Sequence, residues 1–254
     1  MTGHRLDSGD PGAPALILVI LQARMSSTRL PGKVMAQVAG APMIGRQIER
    51  VRRARRVDRL VLATSTDPSD DPLAQYVQSL GVDVHRGPLE DVLDRYVGAL
   101  EAFGPAQHVA RLTGDCPLAD PQVIDATLAL HLERKTDYAA NTPAHRTFPK
   151  GLDVEVVRAE RLLQAGREAA DPYEREHVTP FFYRRPERFP QAFLSQAAEE
   201  GDLRWTVDRP DDLEFVRAVY EALYPTQPDF TSDDVRAFLR GRPDLARLGG
   251  DRRI

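Results

Sequence analysis

The sequence predicts an α/β protein in which helices cover both faces of a mostly parallel β-sheet. The first observation is a run of six apolar residues, Leu16–Leu21, which is typical of a strand buried on both faces. The second is the alternation of such short runs with amphipathic stretches of helical period. The third is that polar loops follow several of these runs directly. Because ligands bind outside the carboxyl ends of parallel strands, we expect the functional site in these loops.

Each predicted strand in the first half of the chain is a short apolar run, and each predicted helix has apolar residues three or four positions apart. Glu90–Phe103, for example, places Val92, Tyr96 and Leu100 on one face. The predicted strands are Leu16–Leu21, Arg59–Ser65, Val82–His85, Gln107–Leu112 and Tyr138–Asn141, and the predicted helices are Pro42–Arg55, Asp71–Leu80, Glu90–Phe103 and Pro121–Glu133.

The pattern changes after about residue 142, where an irregular loop precedes the alternating segment Leu152–Val157. Asp153 and Glu155 share one face of that segment. No linker-like stretch marks a boundary, so we expect one domain over residues 15–245 with a substrate-side elaboration. The remaining predicted elements are helices at Arg158–Glu168, Asp171–Arg185, Leu213–Leu223 and Phe230–Arg240, and strands at Gln191–Leu194 and Leu203–Val207.

Composition narrows the class of protein. The 254 residues carry a formal net charge of −4, which argues against a general nucleic-acid or membrane-surface binder. Cys116 is the single cysteine, so no disulfide can form within the chain and a reducing, cytoplasmic location is expected. No apolar run approaches the roughly 20 residues of a membrane helix. Residues 1–14, rich in Gly, Pro and Asp, are expected to form a flexible tail and not a signal peptide.

The loop after the first strand, QARMSSTRLPGK, is suited to a polyphosphate. It holds Arg24, Arg29 and Lys33 together with three hydroxyl side chains and free backbone N–H groups. The glycines match neither G-x-G-x-x-G nor G-x-x-x-x-G-K-[ST], so this is neither a nicotinamide-type dinucleotide loop nor a P-loop by motif. A polar surface loop without a ligand is the alternative.

Two other strand ends carry carboxylates. Asp115 follows one apolar run in LTGDCP, and Asp208 follows another in WTVDRPDD. Such a pair is suited to Mg²⁺, which is commonly held by one or two carboxylates plus substrate phosphates. The alternative for Asp115 is a turn cap, and Asp211 and Asp212 are expected to cap the next helix.

Here the sequence resembles a known family. The loop LQARMSSTRLPGK is similar to the signature loop of the acylneuraminate and KDO cytidylyltransferases, which make CMP-sugars. The closer resemblance is to the spore-coat polysaccharide biosynthesis protein F family. It covers roughly Leu16 to Tyr224 through the segments TSTDPSDDPL, HRGPLEDVLDRY, ARLTGDCPLADP, GLDVEV, YEREHVTP and WTVDRPDDL.

The resemblance implies a Rossmann-like, GT-A-like nucleotidyltransferase fold, with a nucleotide half over about 15–141 and an acceptor-side half over about 142–245. It implies CTP and a small-molecule acceptor as substrates, Mg²⁺ as cofactor, and allows a homodimer. Val34 departs from the sialate enzymes, which usually have Asn after the lysine. The implied site residues are Arg24, Lys33, Asp115 and Asp208 for catalysis, with the two aspartates binding Mg²⁺; Gln22, Ala23, Arg24, Arg29, Lys33, Thr66, Asp67, Arg86 and Asp91 for the nucleotide; and Asp153, Glu155, Arg175, Glu176 and His177 for the acceptor.

Two other functions remain open at this stage. A GT-A-like glycosyltransferase would use a ready-made nucleotide sugar, but it normally carries an Asp-x-Asp motif where this chain reads Thr113-Gly114-Asp115. A nucleotide-binding regulatory module would bind its ligand without turnover. His177 is a titratable candidate for catalysis, and the alternative is a helix histidine that packs beside Tyr173 or bonds to Glu174.

Overall fold

A computed structural model describes residues 16–250, without the side chains of residues 246, 247, 249 and 250. The expected tail, residues 1–14, lies outside the described residues. In chain order the strands are β1 (Ile17–Gln22), β2 (Gln37–Val38), β3 (Ala41–Pro42), β4 (Arg59–Ser65), β5 (Asp83–Gly87), β6 (His108–Thr113), β7 (Tyr138–Ala140), β8 (Glu155–Arg158) and β9 (Gln191–Phe193).

The helices alternate with the strands through the first half and follow one another more closely in the second. None of those described within residues 16–250 is long and apolar enough to cross a membrane. They are α1 (Met43–Val51), α2 (Asp71–Ser79), α3 (Val92–Phe103), α4 (Pro121–Arg134), α5 (Ala159–Glu168), α6 (Pro172–His177), α7 (Pro180–Tyr183), α8 (Pro210–Leu223), α9 (Ser232–Leu239) and α10 (Pro243–Gly250), with short 3₁₀-helices at Lys33–Met35 and Pro68–Asp70.

Seven of these strands form one sheet in the order β5-β4-β1-β6-β8-β7-β9, which confirms the predicted α/β class. The central strand β1 pairs in parallel with β4 and β6. Val19 and Leu21 pack on one side of the sheet with helices α1, α4 and α8, whereas Leu18 and Ile20 pack on the other side with α3 and α5. Burial on both faces explains why β1 reads as a continuous apolar run and not as an alternation.

Strand β8 sets the geometry of the functional edge. Among the seven strands of the sheet, as far as the chain is described, β8 alone runs antiparallel to its neighbours. Its first residue, Glu155, therefore lies opposite Arg111, near the carboxyl end of β6. The reversal brings the acidic start of one strand to the edge at which the parallel strands end.

The predicted strand Leu203–Val207 is wrong. Residues 203–207 form no strand, and only Arg204 pairs there in the manner of a β-strand, with Lys150. The segment is extended because Trp205 N donates to the carbonyl of Lys150 at 2.7 Å and Trp205 is buried. Gly151, at φ +108°, passes so close that a Cβ there would lie 2.6 Å from the carbonyl carbon of Trp205. Apolar alternation identified an extended, buried segment, but no neighbouring strand pairs along its length.

The predicted helix Asp171–Arg185 is two helices. Helix α6 ends at His177 because Val178 adopts φ +67°, and Pro180 then begins α7. The predicted helix beginning at Pro42 starts at Met43, after a hairpin of β2 and β3 that the sequence pattern did not indicate.

A histidine pair, of which His131 is fully buried and His108 partly buried, lies at the opposite end of β6 from the functional edge. His108 Nδ1 is 2.9 Å from His131 Nε2, and His131 Nδ1 is 3.1 Å from the hydroxyl of Thr136. Burial, with His108 and Arg158 nearby, lowers the pKa of His131 from its ordinary value near 6.5 to about 3. His131 therefore stays neutral in the folded protein under conditions in which it is protonated in the unfolded chain.

This pair is expected to make folding stability fall as the pH drops below about 6.5. The unfolded chain binds the proton that the native state refuses, so the contribution is complete above pH 6.5 and lost progressively toward pH 3. At pH 5 the loss from His131 is about 2 kcal/mol. Urea unfolding at pH 7 and pH 5 measures it, and His131→Gln should flatten the difference. His145→Gln, a matched change at a histidine 81 % exposed, should leave the difference as it is.

Candidate active site

Hydrogen bonds to Asp70 hold the start of the basic loop after β1 against the end of β4. This carboxylate is fully buried and accepts hydrogen bonds from Met25 N at 2.7 Å, Thr64 Oγ1 at 2.9 Å and Ser65 N at 3.0 Å. Gly32 N donates to the carbonyl of Met25, and Gly32 itself adopts φ 72°. These bonds close the loop so that the next residue, Lys33, begins a 3₁₀-helix at the sheet edge.

Lys33 lies between the two carboxylates that the sequence analysis selected. Its Nζ donates to Asp208 Oδ1 at 3.1 Å and to the carbonyl of Val207 at 2.6 Å, and lies 3.5 Å from Asp115 Oδ2. Lys33 and Asp208 are 175 positions apart in the sequence. The fold thus joins the basic loop, the turn after β6 and the segment before α8 into one cluster.

Asp208 is held by cations on two sides. Arg29 lies 2.9 Å from Oδ1, and Arg204 lies 2.9 Å from Oδ2. Burial raises the pKa of this carboxyl, but Lys33, Arg204 and Arg29 outweigh burial and lower the pKa of Asp208 below its ordinary range. The backbone N–H of Asp208 donates to Asp212 Oδ2 at 3.0 Å, so the start of α8 fixes the position of Asp208.

Asp115 is tied to the same segment through its backbone. Its carbonyl accepts from Val207 N at 2.8 Å, and its side chain accepts from Thr113 Oγ1 at 2.6 Å. The neighbouring Cys116 is buried, and burial together with Asp115 raises the pKa of its thiol well above the ordinary range. Cys116 is therefore a poor nucleophile and serves the turn by packing.

The donor set fits a hard divalent cation that a substrate helps to bind. Asp115 and Asp208 both contact Lys33 Nζ, so oxygens of two carboxylates converge on one point. Across the described residues, no group of three or more His, Cys, Asp or Glu side chains could hold a metal ion on its own. Two carboxylates completed by phosphate oxygens and water suit Mg²⁺ better than zinc, which takes three or four protein ligands.

These residues line a cavity of about 330 Å³ at the sheet edge. Its walls come from the basic loop, the turn after β6, the residues before α3 and the end of α6. They include the predicted residues Gln22, Ala23, Arg24, Arg29, Lys33, Asp115 and Asp208, and also Glu176 and His177. The cavity thus brings the cations of the basic loop and the two aspartates together on one lining.

A second cavity, of about 610 Å³, adjoins the first. Arg111, Thr113 and His177 line both, so the two cavities meet at these side chains. The predicted residues Asp153 and Glu155 lie in the second cavity. Two adjoining cavities, the first lined by the basic loop, can hold two substrates that react where the cavities meet.

Comparison with known proteins identifies the family. The family model described as cytidylyltransferase matches residues 18–222. The chain belongs to this family. It is 35 % identical over 237 residues to the spore coat polysaccharide biosynthesis protein SpsF of Bacillus subtilis, covering 91 % of this chain and 96 % of that protein. The resemblance stated from the sequence is confirmed, and the chain is a nucleotidyltransferase.

Solved structures agree with this cytidylyltransferase fold. A cytidylyltransferase from Leptospira borgpetersenii superposes with a TM-score of 0.86 at 27 % identity, covering 94 % of this chain and 99 % of that one. A CMP:2-keto-3-deoxy-manno-octonic acid synthetase complexed with CTP superposes with a TM-score of 0.62 at 20 % identity, covering 82 % of this chain and 99 % of that one. At that lower identity the likeness shows the fold.

Several predicted nucleotide residues line neither cavity of this cytidylyltransferase. Arg86 donates to the carbonyl of Ser65 at 2.8 Å and to that of Asp67 at 2.9 Å, and pairs with Asp71 at 2.6 Å. Asp67 caps the 3₁₀-helix that follows it, and Thr66 N donates to the carbonyl of Gly87. The side chains of Arg86 and Asp67 therefore order the loops after β4 and β5, and Thr66 is held there through its backbone.

Asp91 and Arg175 bind each other. Asp91 Oδ2 accepts from Arg175 Nε at 2.6 Å, while Oδ1 caps α3 by accepting from Asp94 N at 3.0 Å. Arg175 also donates to the carbonyl of Ala169 at 3.1 Å. The pair fastens α6 to α3 and so positions its neighbours Glu176 and His177 at the first cavity.

Sequence reasoning missed the aromatic side chains of the second cavity. Tyr173, Tyr183 and Phe193 are 44 %, 38 % and 41 % exposed, and all three line this cavity. The ring of Tyr173 packs on that of His177 with centroids 4.3 Å apart. This is the packing that the sequence analysis gave as the alternative to catalysis for His177. Arg111 was also missed, although a charged residue inside the apolar run QHVARL is a signal that could have singled it out.

Proposed function

We propose that this cytidylyltransferase transfers CMP from CTP to a sugar or sugar-acid-like acceptor, with release of pyrophosphate and dependence on Mg²⁺. The observation that carries the proposal is that two cavities meet at Arg111, Thr113 and His177. The first of them is lined by the basic loop and by Asp115 and Asp208. CTP belongs in the first cavity and the acceptor in the second.

The relatives support a role in making glycan precursors. SpsF is named for spore coat polysaccharide biosynthesis. A 3-deoxy-manno-octulosonate cytidylyltransferase of Anaeromyxobacter sp. is 39 % identical over 114 residues, which is 44 % of this chain and 46 % of that protein. A CMP-activated sugar for polysaccharide synthesis is therefore the product we propose.

In the proposed reaction an acceptor oxygen attacks the α-phosphorus of CTP in line. The new bond joins that oxygen to phosphorus, and the bond to the bridging oxygen of pyrophosphate breaks. Arg24, Arg29 and Lys33 bind the triphosphate and stabilise pyrophosphate as it leaves. His177, which lines both cavities, is placed to accept the proton of the attacking hydroxyl.

Asp115 and Asp208 would hold Mg²⁺ together with the phosphates. The chemistry that Mg²⁺ would supply there is neutralisation of the charge that builds on the transferred phosphoryl group. The two carboxylates converge on Lys33 Nζ, which supports a shared role for them as ligands. A glycosyltransferase is disfavoured, because the family is one of nucleotidyltransferases and only one acid stands at Thr113-Gly114-Asp115.

Pyrophosphate release tests this function. With Mg²⁺ and a panel of sugar acids and neutral sugars, we expect release from CTP above that from ATP, GTP or UTP, and its loss when EDTA removes the metal. CTP at 100 times its Kd should also stabilise the fold by about 2.7 kcal/mol in a thermal-shift assay. Transfer or hydrolysis of a nucleotide sugar without pyrophosphate release from CTP would overturn the proposal in favour of a glycosyltransferase.

A further inference from the structure

Arg111 occupies the point at which the two cavities meet. It lies on β6 in register with Ile20 of β1 on one side and Glu155 of β8 on the other. Its side chain is 17 % exposed and lines both cavities. A largely buried cation on a central strand destabilises the fold unless it is paired. The groups that pair with the guanidinium therefore indicate its role.

One edge of the Arg111 guanidinium is held by the protein. Nη1 donates to Glu155 Oε2 at 2.5 Å, and Tyr138 Oη donates to Glu155 Oε1 at 2.8 Å. Glu155 is 8 % exposed, and Tyr138 is 1 % exposed. Both carboxylate oxygens of Glu155 thus have a protein partner, and Glu155 fixes the plane of the guanidinium.

The opposite edge has no hydrogen-bond partner among the described residues. Nε of Arg111 is buried and has no hydrogen-bond partner in the described part of the chain, and no bond from Nη2 to a described residue accompanies it. Nε–H and Nη2–H point in parallel and match two oxygens of a carboxylate or a phosphoryl group. A buried donor without a partner is costly, and an oxyanion bound where the cavities meet would supply the missing partner.

We propose that the Nε–Nη2 edge of Arg111 binds an oxyanion bidentately where the cavities meet. The inference rests on the proposed function, and it deepens it by adding a binding residue to the reaction. Two groups share the required chemistry, the α-phosphoryl group of the nucleotide and a carboxylate of the acceptor. The α-phosphoryl group is the favoured source. Its phosphorus must lie where the oxygen of the acceptor can attack it, and that place is the junction of the two cavities.

The test compares the binding of CMP and of cytidine, which lacks the phosphate, by calorimetry. Arg111→Lys keeps a cation for Glu155 but loses the parallel donors of the guanidinium. We expect it to bind CMP about tenfold more weakly while its affinity for cytidine is unchanged. Arg111→Gln loses the charge as well. The ratio of its affinity for CMP to its affinity for cytidine should therefore fall further. Melting temperatures confirm that each variant is folded.

Arg158→Lys is the matched control. Arg158 lies at the other end of the same strand pair, opposite His108, and pairs with Asp137 at 3.3 Å. Its CMP-to-cytidine ratio should equal that of the wild type. If exchanging any paired arginine on these strands weakened CMP binding, Arg158→Lys would lower the affinity ratio as much as Arg111→Lys.

The acceptor arm separates the two sources. If Arg111→Lys leaves the CMP ratio unchanged but weakens binding of 3-deoxy-manno-octulosonate to the CMP-bound protein, the acceptor carboxylate is the bound group. If neither changes, the inference is overturned, and CTP-dependent pyrophosphate release by the wild type still upholds the proposed function. A wild type that binds neither CMP nor CTP would overturn the proposed function itself.

Discussion

Replacing Lys33 with methionine is expected to lower kcat for pyrophosphate release by about 10²- to 10³-fold, the usual effect of removing one preorganised donor to developing charge. Its Nζ lies 3.1 Å from Asp208 Oδ1 and 3.5 Å from Asp115 Oδ2. Without it, two carboxylates face the triphosphate with one cation fewer between them. The KM for CTP should therefore rise as well, and steady-state kinetics measures both effects.

Lys150→Met is the matched control for this change. Lys150 also stands beside a glycine in a loop, but it is exposed and lines neither cavity. We expect its kcat and KM to equal those of the wild type. Wild-type kinetics in Lys33→Met would show that this ammonium group does not contact the reacting triphosphate.

Asp115→Asn and Asp208→Asn are each expected to lower Mg²⁺-dependent turnover by at least about 10²-fold while CTP still binds. An amide keeps the shape of the side chain but loses the charge that a hard cation requires. Arg204 keeps a carboxylate partner in Asp208→Asn, because Asp212 lies 3.3 Å away. The fold should therefore survive, and activity measured across a Mg²⁺ titration isolates the loss of the metal.

Glu214→Gln, an exposed carboxylate on α8, is the control for charge removal close to Asp208 in the sequence. Its Mg²⁺ dependence should match that of the wild type. If CTP binding were lost together with turnover in both aspartate variants, their role would be structural. If turnover persisted in both, the two aspartates would not be the metal ligands. Loss of turnover with CTP still bound would exclude the regulatory-module alternative.

Much of the fold could be predicted because it depends on local patterns. The strand Arg59–Ser65 was predicted with the bounds that the structure has, since a short apolar run between polar turns has few other solutions. Asp120 and the cap of α4 follow from the same kind of rule, its side chain accepting from Gln122 N. The break between α6 and α7 had a local signal, since Pro180 stands inside the predicted helix, but the positive φ of Val178 that ends α6 has none.

The sequence by itself determined the chemistry that is available. It places the cations of the basic loop after β1 and an acidic residue at the end of each of two apolar runs, and side-chain types and strand-end positions are local properties. It also identified the family, because the motifs extend over most of the chain.

Only the tertiary structure decided which of these groups meet. Val207 N binds the carbonyl of Asp115, and this contact across the chain brings Asp208 to Lys33. The antiparallel direction of β8 places Glu155 behind Arg111, so this acid of the second cavity also pairs with the arginine at the junction of the cavities. Strand direction and long-range pairing depend on the packing of the whole sheet, which no local pattern of residues encodes.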